Sequence, residues 1–217
     1  MKEKKAVEII GGSDGPTAVF IAGKSKEKNP VKRVKNWAGN KKYQHNRKKA
    51  GKKVIADPHT LEETGTYIKE QYKGVEVDKN TELYQEKYRE IRSSLILQHR
   101  PDLTGGPLKN LRPENVEDEK AVLKWMALIT ERQENANKVP EEAFSIEYHL
   151  YEIKGKNVEE FFIEIEYQYE VLSMAYSGDT KWGDTICKDI YSYYGVTEED
   201  IKNKTKRYQT LLTILAT

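Results

Sequence analysis

Cysteine is almost absent. Cys187 stands alone in 217 residues, which excludes an intramolecular disulfide and any zinc site built from several thiolates. Long apolar runs are absent too. The longest, Ala18-Val19-Phe20-Ile21-Ala22, is far short of the roughly 20 residues that a membrane-spanning helix requires. No basic start leads into an apolar stretch of signal-peptide length, so a soluble, cytoplasmic protein is expected. The four histidines, His45, His59, His99 and His149, show no ligand spacing, and neither a metal nor a cofactor is expected. Apolar residues make up 37% of the chain against 33% charged, and mean hydropathy is -0.83. Such a chain builds a core only where its apolar positions are concentrated, and periodic segments later in the sequence concentrate them.

The net charge of +2 conceals an asymmetry. Residues 1–57 hold 16 Lys and Arg against 5 Asp and Glu, a balance of +11, while the rest hold 21 against 30, a balance of -9. A cationic N-terminal region therefore precedes a mildly acidic body. Three segments are expected: a strand-loop-strand over 1–22, a basic arm over 23–53 and an α+β domain over 54–217. In the arm, Pro30 suits the first turn of a helix, and Val31, Val34 and Ala38 fall at helical spacing. Gly39 and Gly51 interrupt that pattern, which predicts one or two short helices or a flexible arm.

The body is read as mostly helical with one antiparallel hairpin. Val54-Ile55-Ala56 is a short strand candidate. Thr60 and Glu63 form a capping-box pattern opening a helix to about Tyr72. A second helix runs from about Thr81 to Gln98, with Leu83, Ile91 and Leu95 inward, and a third from Val116 to Asn135, with Val122, Trp125, Met126 and Ile129 inward. The period then switches to two. Phe144, Ile146, Tyr148 and Leu150 alternate with polar residues, as do Phe161, Ile163, Ile165, Tyr167, Tyr169 and Val171, predicting a hairpin with one buried and one acidic face. Trp182, Ile186 and Ile190 mark a fourth helix closing near Gly195. Thr197 caps the final one, with Ile201, Tyr208, Leu211, Leu212 and Leu215 inward.

One segment is distinctive. Gly11-Gly12-Ser13-Asp14-Gly15-Pro16-Thr17, between Ile9-Ile10 and Ala18-Val19-Phe20, resembles the Gly-Gly-Ala-Asp-Gly-Pro-Thr stretch of the β subunit of sodium ion-translocating decarboxylases. Ser13 takes the place of the alanine. The resemblance runs from Val7 to Gly23, and nothing else in the chain follows that family. It implies a relative of a membrane-embedded, many-helix subunit in which Asp14 matches the acidic residue of sodium handling. Without membrane helices, a lone carboxylate cannot couple decarboxylation to ion transport. The residues themselves also read as a glycine-rich turn with Asp14 bonding its own backbone. Ala18 to Ser25 meets a relaxed phosphate-loop pattern, but Val-Phe-Ile-Ala is strand-like where a phosphate cradle needs glycine, so nucleotide hydrolysis is not expected.

The basic arm carries Lys32, Arg33, Lys35, Lys41, Lys42, Arg47, Lys48, Lys49, Lys52 and Lys53, with Trp37 and Tyr43 interspersed. Clustered cations meet phosphate backbones, and aromatic rings stack on unpaired bases. An anionic membrane surface is a further partner for such a helix. Internally, the arm could instead lie on Glu160, Glu164, Glu166 and Glu170. His149 is placed across from Glu164, a proton-transfer pair in principle, but Cys187 reads as buried and inert, and Ser93 and Ser94 lack a nucleophile-elbow context. No catalytic constellation emerges. A non-enzymatic interaction protein, binding nucleic acid or an acidic partner through its cationic segment, is expected. The alternative is an accessory or truncated relative of the decarboxylase subunit.

Overall fold

A computed structural model describes residues 7–11, 30–107, 118–155, 160–178 and 180–217, with 7–11, 30–38 and 180 described by their backbone. The fold is α+β. It divides into two compact units, Met1–Val77 with Tyr148–Thr217, and Asp78–Glu147.

The first unit is built on an antiparallel sheet of five strands in the order β1-β5-β4-β3-β2. These are β1 (Val7–Gly11), β2 (Val75–Glu76), β3 (Tyr148–Lys154), β4 (Glu160–Glu166) and β5 (Val171–Tyr176). Register places Tyr151, Ile163 and Met174 side by side, and likewise Ile153, Phe161 and Tyr176. This apolar face packs against α2 (Leu61–Tyr72), α5 (Thr180–Tyr194) and α7 (Lys206–Ala216), which contribute Ile68, Ile190 and Leu211 among others. The α2 start is as the sequence predicts: Thr60 Oγ1 accepts from Glu63 N, and Glu63 Oε2 accepts from Thr60 N. Helix α5 comes close enough to β5 that a Cβ on Gly183 would run into the Tyr176 ring.

Several expectations are corrected here. The expected strand from Phe161 through Val171 is two strands. The chain turns over Tyr167–Glu170, where Glu166 accepts the amides of Gln168 and Tyr169 at 3.2 and 2.6 Å and Glu170 takes φ 53°. A strand-end carboxylate capping the turn does the work that glycine usually signals, and the two-residue alternation of tyrosines hides it. The hairpin is therefore part of a meander, and its second face is no acidic surface: Glu164 is 8% exposed and Glu166 is fully buried. The third strand begins at Tyr148, because Glu141–Ala143 form a 3-10 turn and Phe144 closes it. Val54-Ile55-Ala56 is a linker after α1 rather than a strand, with no sheet partner among the described residues. Asp57 N and His59 N donate to Val196 O and Tyr194 O and fasten it to the end of α5. There Gly195 has φ 60°, and any Cβ would strike the Asp57 carbonyl.

The last predicted helix is also two. Thr197 caps α6 (Glu198–Asn203), Lys204 turns left-handed, and α7 follows. Asp200 holds the break by accepting from Thr197 N at 2.9 Å and Thr205 Oγ1. The basic segment is neither short helices nor a loose arm. It is one helix, α1 (Pro30–Gly51), which starts at the predicted proline and runs through Gly39.

The second unit holds α3 (Glu82–His99), α4 (Glu119–Asn137) and two 3-10 turns, Pro101–Thr104 and Glu141–Ala143. In α3, Ile91 and Leu95 are buried as predicted, but Tyr84 takes the inward place expected of Leu83. In α4, Val122, Trp125 and Ile129 are half-buried, Met126 is exposed, and Ala136 is its one fully buried side chain. Arg92, missed in the sequence, ties this unit together. Its guanidinium donates to Phe144 O, Val139 O and Pro140 O at 2.8–2.9 Å and pairs with Glu141 at 3.1 Å.

Candidate polyanion-binding face

Helix α1 contains eight cationic residues, Lys32, Arg33, Lys35, Lys41, Lys42, Arg47, Lys48 and Lys49, and no acidic one. Twenty-two residues at 1.5 Å each make it about 33 Å long. A helix of this charge gains nothing from intrahelical ion pairs, because it has no carboxylate to form them. Its anchorage is therefore tertiary. Tyr43 Oη donates to Thr213 Oγ1 at 3.4 Å, Asn46 Nδ2 donates to Ala216 O at 3.2 Å, and Arg47 donates to Gln209 Oε1, all on α7. Ala50 packs against the core.

Seating Tyr43, Asn46, Arg47 and Ala50 on α7 turns Lys41, Lys42, His45, Lys48 and Lys49 outward, and all five are exposed. Lys52 and Lys53, just past the helix, are exposed too. Among the described residues, Lys42, Lys48, Lys49, Lys52 and Lys53 form no ion pair. The two last-turn lysines, Lys48 and Lys49, suit the negative end of the helix dipole. Lys35 stands two turns before Lys42 and Trp37 one turn before Lys41. They and Lys32 and Arg33 share the helix, and the structure describes them by backbone alone. Two predicted members therefore have other work: Tyr43 and Arg47 belong to the seat on α7 rather than the outer face. The internal alternative fails on geometry, since α1 lies along α7 and two of its four proposed glutamates are buried.

Of the motif loop, Gly11 ends β1, which pairs with β5 from Val7↔Tyr176 to Gly11↔Leu172. Gly12, Ser13, Asp14, Gly15, Pro16 and Thr17 lie outside the described residues, as does the expected second strand over 18–22.

Groups with catalytic potential are engaged structurally. His149 faces Ile165 in the register, not Glu164, and its Nδ1 lies 2.6 Å from Glu76 Oε1 on β2. Lys69 Nζ sits 3.9 Å from the other oxygen of Glu76. His59 Nδ1 bonds Tyr193 O at 2.6 Å, and the rings of His59, Tyr193 and Tyr67 stack at 4.0 Å spacings. Tyr67 and Tyr72 both donate to Asp189 Oδ2 at 2.6 Å. The Asp189 bond, with burial, pushes the Tyr67 phenol up to about 12. Sequence reasoning had no signal for this cluster, because its partners lie 117 to 134 residues apart. Cys187 is buried, and burial pushes its thiol up to about 12, which suppresses the thiolate. Arg207 donates to Gly195 O at 2.8 Å, His59 O at 3.0 Å and Tyr194 O, and lies 3.6 Å over the Tyr194 ring.

Among the described residues, no group of three or more acidic, histidine or cysteine side chains is placed to hold a metal ion, and no helix is long and apolar enough to cross a membrane. No family model, curated protein or solved structure matches the chain.

Proposed function

We propose that the chain is a non-enzymatic binding protein whose helix α1 grips a polyanion, a nucleic-acid backbone being the ligand class that fits its outer face. One observation carries this reading. A helix of about 33 Å is held on one side by α7 and presents Lys42, Lys48 and Lys49 on the other with no carboxylate of its own to neutralise them. Such a face lowers stability by self-repulsion and is useful when phosphates displace its counterions. The engagement of His59, His149 and Cys187 in packing and hydrogen bonds supports binding rather than chemistry.

Fluorescence anisotropy with random-sequence RNA and DNA at about 50 and 200 mM salt tests the reading. Affinity is expected to fall on the order of a hundredfold or more across that range. Replacing Lys42, Lys48, Lys49, Lys52 and Lys53 with glutamine removes binding while the thermal midpoint does not fall. Trp37→Ala weakens single strands more than duplex, because unpaired bases alone offer a free stacking face. Binding to an acidic protein but to neither nucleic acid at low salt moves the reading to a protein partner. Binding that ignores both salt and the lysine substitutions refutes it.

A further inference from the structure

We infer that the first unit holds a second ligand site: a cavity for a small amphipathic anion, an aliphatic carboxylate in chemical class. The cavity measures about 520 Å³, within the range of small-molecule sites, and lies between the end of α1, the linker after it, and α7. Ala50, Val54, Ile55, Leu211 and Leu215 form its apolar wall. Ala50 is small where α1 passes α7, and this leaves the space open. Ile55 is 76% exposed at the cavity although it sits beside the half-buried Val54, so the apolar lining continues out to the surface.

The polar groups at the same place define the ligand's head. Lys49 and Lys53 both border the cavity and both are exposed. Asp57 borders it as well, leaving one positive charge in excess. A hydrocarbon tail in the apolar wall, with a carboxylate at the two ammonium groups, satisfies both halves of this lining. A neutral tail satisfies one, and a purely inorganic anion satisfies the other.

Lys49 and Lys53 are shared with the polyanion face, while Lys42, Lys48 and Lys52 do not line the cavity. This separates the two proposals. The full chain is titrated with a dansyl-labelled fatty acid, which is then displaced with decanoate or decanol. Saturable binding to one site is expected, with decanoate about fivefold stronger than decanol, the scale of the one exposed ion pair that the net charge of the lining leaves. The double substitution Lys49→Gln, Lys53→Gln erases the preference for decanoate but retains decanol-level binding. Ile55→Asp weakens both ligands, and its exposure keeps the fold intact. Lys42→Gln with Lys48→Gln and Lys52→Gln weakens nucleic acid and leaves decanoate unchanged.

Absence of saturable probe binding overturns the site, as does equal displacement by decanoate and decanol. A dimer that blocks the probe and is dissociated by Ile55→Asp overturns it in favour of a second copy on the groove. Sedimentation with anionic vesicles, without binding of the monomeric fatty acid, overturns it in favour of a membrane surface.

Discussion

Helix α5 is shorter than α1, 15 residues against 22, yet it buries Ile186, Cys187, Ile190, Tyr191 and Tyr194, whereas α1 has no fully buried side chain between residues 39 and 51. Both belong to the same unit. The sequence of α5 is accounted for by packing: an apolar stripe set against the sheet, a glycine where the Tyr176 ring comes close, and a tyrosine whose hydroxyl reaches Leu172 O at 2.7 Å. Packing accounts for one face of α1, that of Tyr43, Asn46, Arg47 and Ala50, and leaves its outward lysines unexplained. Those lysines are the residues that the proposed polyanion contact uses.

The sharpest test of this contrast is Ile190→Ala. A fully buried isoleucine in the main core is lost, and stability should fall by about 3–4 kcal/mol in denaturant titration. A loss comparable to that of a surface site would mean that α5 is not the anchor described. Gly195→Ala ranks next, at about 2 kcal/mol, because it combines a left-handed φ with the approach of the Asp57 carbonyl. An unchanged melting midpoint would show that the linker is free to move away.

Gly39→Ala, in contrast, should stabilise the protein by up to about 1 kcal/mol. A Cβ there meets nothing within 4 Å, and alanine suits a helix interior better than glycine. A loss of stability would mean that α1 breaks at Gly39 after all.

The Tyr67 phenol gives a smaller, pH-dependent effect. Its folded value, raised from 10.0 to about 12 first by the Asp189 bond, means that the bond's stabilisation is whole below about pH 10 and disappears as pH rises through the folded value. The difference in melting midpoint between the parent and Tyr67→Phe should therefore shrink from about pH 9 to about pH 12. A constant difference would remove the bond from the account. Smallest of all is Lys42→Glu, in the middle of α1 and away from the last turn, where the helix dipole favours lysine. Replacing one like charge in the outer face should raise stability by a few tenths of a kcal/mol, roughly, while weakening polyanion binding. A lysine that stabilised the free protein would be structural, and the contrast between the helices would soften.

Much of the fold was legible wherever the signal is local. Thr60 with Glu63, Pro30 at a helix start and Gly195 at a helix end are read from four or five neighbouring residues, and each stands where expected. The turn at Tyr167–Glu170 was not legible, because its tyrosines preserve the strand period and its left-handed position is occupied by a glutamate rather than a glycine. Burial of Glu164 and Glu166 escaped for a related reason: alternation identifies two faces but not whether both are covered. For the candidate site, the cations were plain in the sequence. What it lacked was which of them turn outward, since Tyr43 and Arg47 are separated from Thr213 and Gln209 by 170 and 162 residues. The partners of His149 and Arg92 are likewise distant in the chain, at separations of 73 and up to 52 residues.

Those separations bear on how the molecule comes together in time. A contact across 170 residues closes a very long loop, and each doubling of loop length adds about 0.6 kcal/mol to the entropy cost of closure. Docking of α1 on α7 is therefore expected late in folding, after the local contacts of each helix. Attraction between a row of lysines and a polyanion needs no tertiary structure at all. If α1 binds a polyanion as proposed, electrostatic capture of the basic segment is open to the chain before α7 is there to receive it, and a polyanion present during folding would compete for α1 with the protein's own scaffold.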